Sequence, residues 1–343
     1  MIAGAVDLDE IVLLRWLEAN AEGFAGPIDV SKFPGGQSNP TYRIDAASGA
    51  YVVRRKPVGT LLRSAHAVDR EYRLISALHP TGFPVPRPFA LCEDTAVIGS
   101  IFYVMEMVAG RTFWNAALPE AAPAERRPIY EAMLNTLAKL HAIDPVAIGL
   151  GDFGRPGNYF ARQIDRWTKQ YRAAQTDDIP AIERLIEWLP RTVPAQGRTS
   201  IIHGDYRIDN LIYAPDGPQV AAVLDWELAT IGDPLADFAY FAMNWAMPAD
   251  GGPGLSGLDL ASLDLPTMEE TVELYCADTG RTGLPDLHWY FAYNQFRLVS
   301  IIQGIKKRLL EGNASSAKAE ATATRLIPIT ESAWRHARLA GAR

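Results

Sequence analysis

The stretch from Ser200 to Tyr240, SIIHGDYRIDNLIYAPDGPQVAAVLDWELATIGDPLADFAY, constrains this chain more than any other. A short apolar lead, Ile201-Ile202, delivers His203-Gly204-Asp205 into a polar loop. Asn210 follows, and two β-rich pieces, Leu211 to Tyr213 and Val220 to Leu224, flank an Asp216-Gly217 turn. A hairpin of that kind returns Asp225 beside Asn210. Asn210 and Asp225 are hard oxygen donors of the sort Mg²⁺ takes alongside substrate phosphates, and Asp205 is left to accept a proton. His203 is read as a structural residue that holds the loop, since Asp205 already fills the base role.

An Asp, four residues and an Asn, then a second Asp after a short hairpin, is an arrangement used for phosphoryl transfer. Through His203-Gly204-Asp205-Tyr206-Arg207-Ile208-Asp209-Asn210 and Leu224-Asp225-Trp226-Glu227 the chain resembles the aminoglycoside phosphotransferase and choline kinase superfamily. Within it the chain is similar to the kinase-like domain attached to some acyl-CoA dehydrogenases. The resemblance implies a bilobed, protein-kinase-like α+β fold, with a small β-rich nucleotide-binding lobe over residues 1–106 and a larger, mainly helical catalytic and substrate lobe over 107–343. It implies ATP and Mg²⁺ as cofactors, Asp205 as catalytic base, Asn210 and Asp225 as metal ligands, and a small-molecule hydroxyl acceptor met at the interlobe cleft. Arg207 falls where protein kinases place a Lys near the transferred phosphoryl group; a solvated loop cation is the alternative. Asp237 is similar to a family residue that braces the catalytic loop. Trp226-Glu227 stands where protein kinases have Phe-Gly, so regulation through an activation loop is not implied.

The first hundred residues carry the matching nucleotide-binding pattern. Asp7 and Glu10 have capping-box spacing ahead of Ile11, Leu14 and Leu17, predicting a short amphipathic helix on the outside of the first lobe. Strands are expected over Ile28 to Phe33, Tyr42 to Asp45 and Tyr51 to Arg54. Between the first two, Gly35 and Gly36 let backbone N–H groups approach phosphate, while Ser38 and Asn39 add donors. A ligand-free glycine turn explains the same residues. Arg54 stands where the phosphate-facing cation of the third strand is expected; Lys56 is the other candidate, although Pro57 ends the strand there. Arg55 and Lys56 read as a solvated strand end. By resemblance Glu71, on a helix from Ala67 to Leu78, pairs with Arg54; a local pair with Arg70 or Arg73 is the alternative. Glu106, Met107 and Val108 are assigned to the hinge that meets the adenine edge through backbone groups.

Beyond the hinge, helices are expected from Glu125 to His141, Asn158 to Ala174, Ile182 to Leu189 and Pro234 to Trp245, the last capped by Asp233. Met247 to Leu265 reads as a surface insertion, and two long helices, Pro285 to Glu311 and Ala314 to Ala340, close the sequence. On the first of these, Arg297, Lys306, Lys307 and Arg308 form a basic set. With the resemblance, that set points to an anionic or acyl-linked hydroxyl acceptor, a hydroxyacyl-CoA thioester, rather than a polycationic aminoglycoside. Trp289, Tyr290, Tyr293 and Phe296 line an acyl channel or pack in the core.

Composition sets the remaining limits. A net charge of −7 over 343 residues provides no basic field for nucleic acid. Cys92 and Cys276 are too few and too far apart for a disulfide framework or zinc site. No apolar run approaches the ~18 residues of a membrane helix, and the N-terminus lacks a secretory pattern, so a cytoplasmic protein without a membrane partner is expected. A nucleotide-binding pseudoenzyme or scaffold, and less favourably a protein kinase, are the rival functions.

Overall fold

A computed structural model describes residues 8–33, 39–57, 67–249, 253–312 and 317–343. In chain order the elements are α1 (Glu10–Asn20), β1 (Ile28–Lys32), β2 (Thr41–Ala46), β3 (Gly49–Arg55), α2 (Val68–Leu78), β4 (Pro88–Cys92), β5 (Phe102–Glu106), α3 (Pro123–Ala142), α4 (Tyr159–Ala174) and α5 (Pro180–Trp188). There follow β6 (Ser200–Ile202), β7 (Leu211–Tyr213), β8 (Val220–Val223), β9 (Thr230–Gly232), α6 (Leu235–Ala242), α7 (Met268–Thr279), α8 (His288–Leu310), α9 (Ala317–Thr324) and α10 (Leu326–Leu339). Contacts group them into two units. One comprises residues 1–136, 146–151 and 207–229, the other 137–145, 152–206 and 230–343.

The first unit is built on an antiparallel five-stranded sheet of order β1-β2-β3-β5-β4. Apolar residues of β2, β3 and β5, among them Tyr42, Ile44, Val53, Phe102 and Val104, meet Leu13 and Leu17 of α1 in one buried cluster. Asp9 caps α1, its carboxylate accepting from the N–H groups of Ile11 and Val12 at 3.1 Å. Asp7, the cap expected from the sequence, lies outside the described residues. Helix α2 turns Val68, Glu71, Leu74, Ile75 and Leu78 inward, so its buried stripe carries one acid among aliphatic residues.

The β7–β8 hairpin forms as its turn residues predict, with Leu211 opposite Val223. It is tied into this unit by paired backbone hydrogen bonds between Arg111 and Tyr213, both 2.8 Å, and by the Val223 N–H donating to the Pro84 carbonyl at 2.8 Å. Gly110 makes that approach possible, because a Cβ there would stand 2.2 Å from the Tyr213 carbonyl oxygen.

The second unit holds the two-stranded β6–β9 ladder and the helices around it. Phe160 of α4 is its aromatic hub, with ring centroids 5.1 Å from Trp289, 5.4 Å from Tyr290 and 5.0 Å from Tyr293. These α8 aromatics are buried, and core packing is their observed role. The single long terminal helix expected from Ala314 to Ala340 is instead α9 and α10. Pro328 has no N–H for the Thr324 carbonyl and its ring crowds that group, so the helix breaks there. The segment expected as a surface insertion is anchored by Leu255 and Leu265, both buried. Among the described residues, no helix is long and apolar enough to cross a membrane.

Gly110→Ala is expected to cost roughly 1–3 kcal/mol, since the new methyl meets backbone that cannot yield cheaply. Denaturant unfolding of the two proteins measures it; equal midpoints would show that the strand and hairpin move apart freely.

Candidate active site

In the first unit the sheet, α2 and the hairpin bring four charged side chains together. Arg54, near the end of β3, places its Nε 2.9 Å from Glu71 Oε2 and its Nη2 2.7 Å from Asp225 Oδ1, with Glu227 Oε2 at 4.0 Å. Arg54 is therefore the cation the third strand supplies to the helix acid, ahead of Lys56. Glu71 is held further by the Tyr103 hydroxyl at 3.1 Å and by Asn39 Nδ2 at 2.9 Å. Neither partner was assigned this role from the sequence. Tyr103 lies opposite Arg54 in the β3–β5 register, which puts both side chains on the sheet face that meets α2.

Asn39 was read as an open phosphate donor, but its side chain is fully buried and its amide N–H is committed to Glu71. Gly35, Gly36 and Ser38 lie outside the described residues. Arg55, expected in solvent, is buried on the opposite face, donating to the Ile98 carbonyl at 3.0 Å with its guanidinium 5.6 Å from the Tyr42 ring centroid. Strand alternation sends Arg54 and Arg55 to opposite faces, and both faces are covered.

Burial pushes the Glu71 carboxyl up to about 7 against the pull of Arg54, and the neighbouring charges of Asp225 and Glu227 push the same way. The same carboxylates hold the Arg54 guanidinium firmly protonated although burial opposes its charge.

Asp225 follows β8 directly, with φ +64° and ψ +63°, a left-handed conformation that Asp tolerates better than most residues. The Leu224 N–H donates to the Asn210 carbonyl at 2.8 Å, so the hairpin return sets the two proposed metal ligands side by side. Among the described residues no group of three or more His, Cys, Asp and Glu could hold a metal. A cation held by Asn210 and Asp225 would draw on an amide oxygen, a carboxylate and oxygens from water and phosphate. That donor set fits Mg²⁺, which keeps waters and phosphate oxygens in its shell. The charge balance fits as well, for one guanidinium faces three carboxylates.

Arg207 ion-pairs with Asp209 inside the loop. Glu106, at the end of β5, donates its N–H to the Arg87 carbonyl at 2.8 Å and accepts from the Arg87 N–H on its carboxylate at 3.2 Å, while the Met107 N–H donates to the Ala50 carbonyl at 3.3 Å. Val108 is half-buried just beyond.

In the second unit, Asp237 of α6 accepts from the N–H groups of His203 at 2.5 Å and Gly204 at 2.8 Å. Gly204 has φ +83°, which a residue with a side chain rarely adopts. His203 is fully buried, and its Nδ1 accepts from the Asp205 N–H at 3.1 Å. Burial works against the Asp237 charge, but His141, 3.6 Å away, and the loop N–H groups outweigh it and hold the carboxyl below its usual range. His141 also bonds the Tyr275 hydroxyl at 2.8 Å. Sequence reading missed His141, which lies 62 residues before the loop it helps to brace. The loop is thus fixed by a buried acid and a buried imidazole, leaving the Asp205 carboxylate half-exposed.

A kinase-like α+β fold with a braced His-Gly-Asp loop and a strand cation paired to a helix acid defines a phosphotransferase class. Residues 29–271 match the phosphotransferase enzyme family, and the chain belongs to that family. It is 46% identical over 312 residues to mouse acyl-CoA dehydrogenase family member 10, covering 90% of this chain and 29% of that protein. Human acyl-CoA dehydrogenase family member 11 is 39% identical over 329 residues, covering 94% of this chain and 42% of that protein. The chain thus spans less than half the length of these relatives. A Ralstonia eutropha structure assigned to the aminoglycoside phosphotransferases superposes with a TM-score of 0.89 at 46% identity, covering 97% of this chain and 99% of that one. An aminoglycoside phosphotransferase in ternary complex with ADP and hygromycin B shares the fold, with a TM-score of 0.60 at 14% identity over 95% of this chain and 98% of that one.

The raised Glu71 carboxyl carries a sign. Its ordinary value is 4.5 and its folded value about 7, so its stabilising contribution is complete below pH 4.5 and is lost as pH rises through 7. Denaturant unfolding at pH 5 and pH 8 should show a loss of roughly 1–3 kcal/mol that Glu71→Gln removes. An unchanged pH step in the variant would assign it to another group.

Proposed function

We propose that the chain is an ATP- and Mg²⁺-dependent phosphotransferase acting on the hydroxyl group of a small molecule, with a hydroxyacyl-CoA thioester as the acceptor class. The observation that carries the reading is the Arg54 guanidinium held between Glu71 and Asp225, since a pairing of strand cation and helix acid beside a metal-binding Asp is what phosphoryl transfer on this fold uses.

In this reading Asp205 accepts the acceptor's hydroxyl proton as that oxygen bonds to the γ-phosphorus. The bond from the γ-phosphorus to the bridging oxygen breaks, and ADP leaves. Asn210 and Asp225 would hold Mg²⁺, whose chemistry there is to neutralise charge on the ATP phosphates. Arg54 orients the phosphates, and Glu106, Met107 and Val108 present backbone to the adenine. Gly35, Gly36 and Ser38 are assigned to the phosphates from the sequence alone, and Asn39 is bonded to Glu71. Arg207, kept in the loop by Asp209, is the cation beside the transferred group.

The acceptor class is supported by the relatives named acyl-CoA dehydrogenase family members, in which a region like this chain is one part of a longer protein. The basic set expected on α8 contributes less than its sequence promised. Lys306 is bonded to both carboxylate oxygens of Asp177 at 2.7 Å, and Lys307 donates to the Ala173 carbonyl at 2.9 Å. Both are occupied in joining α8 to the end of α4.

Asp205→Asn should reduce phosphoryl transfer at least 100-fold while leaving Mg·ADP affinity within about twofold, because a base is lost and the metal ligands remain. Asp225→Ala should weaken nucleotide binding only when Mg²⁺ is present. ADP release with a hydroxyacyl-CoA, choline and an aminoglycoside, read beside nucleotide titrations, tests both. Wild-type turnover in the Asp205 variant, or no turnover by the wild type on any acceptor, would overturn the reading.

A further inference from the structure

Helix α8 carries a buried cation that the proposed reaction does not use. Arg297 is 6% exposed, and its buried Nε has no hydrogen-bond partner among the described residues. Its guanidinium carbon lies 5.6 Å from the Trp167 ring centroid and 5.0 Å from that of Tyr240. Such contacts with aromatic faces stabilise the charge but occupy none of the five N–H donors. Burial opposes the charge, yet Tyr240, Tyr293, Tyr159 and Asp205 together keep the guanidinium protonated. One turn earlier, Asn294 is 1% exposed, and both its amide nitrogen and its oxygen lack partners.

Buried donors without acceptors are costly, and two of them three residues apart on one helix face point to a ligand rather than to packing. The aromatic set around Phe160 fills the neighbouring core without consuming either group.

Helix α6 links this pair to the catalytic loop. Asp237 accepts from the His203 and Gly204 N–H groups, and Tyr240, three residues on, meets the Arg297 guanidinium. The unused donors and Asp205 thus belong to one assembly within the second unit.

We propose that Arg297 and Asn294 form an acceptor subsite that takes the carbonyl oxygen of an acyl thioester whose hydroxyl is presented to Asp205. This rests on the acceptor class given above and names the residues that select it. The guanidinium and amide donate to the carbonyl oxygen, and an ammonium-bearing acceptor is repelled by the same buried charge. Selection therefore lies on α8, away from the nucleotide-binding groups.

The test compares two ligands that cannot be phosphorylated, butyryl-CoA and its thioether S-butyl-CoA, which differ at the carbonyl. Calorimetry on the full chain with Mg·ADP present should show the thioester binding about 10- to 100-fold tighter than the thioether, the range for hydrogen bonds to a charged group. Arg297→Gln should bring that ratio close to one, Arg297→Lys should keep part of it, and Asn294→Ala should reduce it several-fold, all with Mg·ADP affinity unchanged. A merely structural role would weaken both ligands equally and leave the ratio alone. Equal affinities in the wild type, or a ratio untouched by the substitutions, overturn the subsite. Because neither ligand is turned over, a chain that binds the thioester through Arg297 but transfers no phosphate would sink the proposed reaction and leave the subsite standing.

Discussion

The Arg54 guanidinium is the interaction on which the first unit depends. It touches the helix acid Glu71 on one side and the hairpin acid Asp225 on another, so the sheet, α2 and the β7–β8 hairpin share one buried charge. Removing either carboxylate leaves a cation half-compensated in a poorly solvated place, whereas removing the cation leaves the acids facing one another. Tyr103 and Asn39 then fix the Glu71 carboxylate in the direction that serves Arg54. Asp225 and Glu227 add a negative excess around this single guanidinium, which is the charge balance the proposed divalent cation would meet.

The second unit solves a different problem by a related device. Here the His203-Gly204-Asp205 loop is held by its main chain. Asp237 accepts two loop N–H groups, and His203 accepts from the Asp205 N–H, so the main chain of the loop is fixed at three points. The bracing acid is fully buried and kept ionised by His141 and those N–H groups, which makes it a fixed point of the unit. Helix α6 extends the same support to Tyr240 and through it to Arg297.

Much of this was legible in the sequence because the decisive signals are local. The Asp205, Asn210 and Asp225 spacing, the Asp216-Gly217 turn and the alternating strands depend on residues within one hairpin of each other, and backbone geometry turns such spacing into position. Arg54 and Glu71 were legible only together, through the fold that the central motif implied. Helix ends were less so: α1 is capped by Asp9, and Pro328 divides the terminal helix, because a cap or a break is settled by one residue's hydrogen bond within a pattern that continues past it.

The sequence by itself determined the family, the order of elements and the identity of the polar groups at the catalytic loop, since each follows from side-chain type at short range. Only the tertiary structure decided what those and other polar groups meet. It buried Arg55 and Asn39, bound Lys306 to Asp177 across 129 residues of chain, set Tyr103 on Glu71 and set Arg297 against the rings of Trp167 and Tyr240. The physical reason is that charge and hydrogen-bond satisfaction are properties of an environment assembled from distant segments. A lysine or an asparagine carries the same local signal whether its partner is water, a buried carboxylate or a ligand.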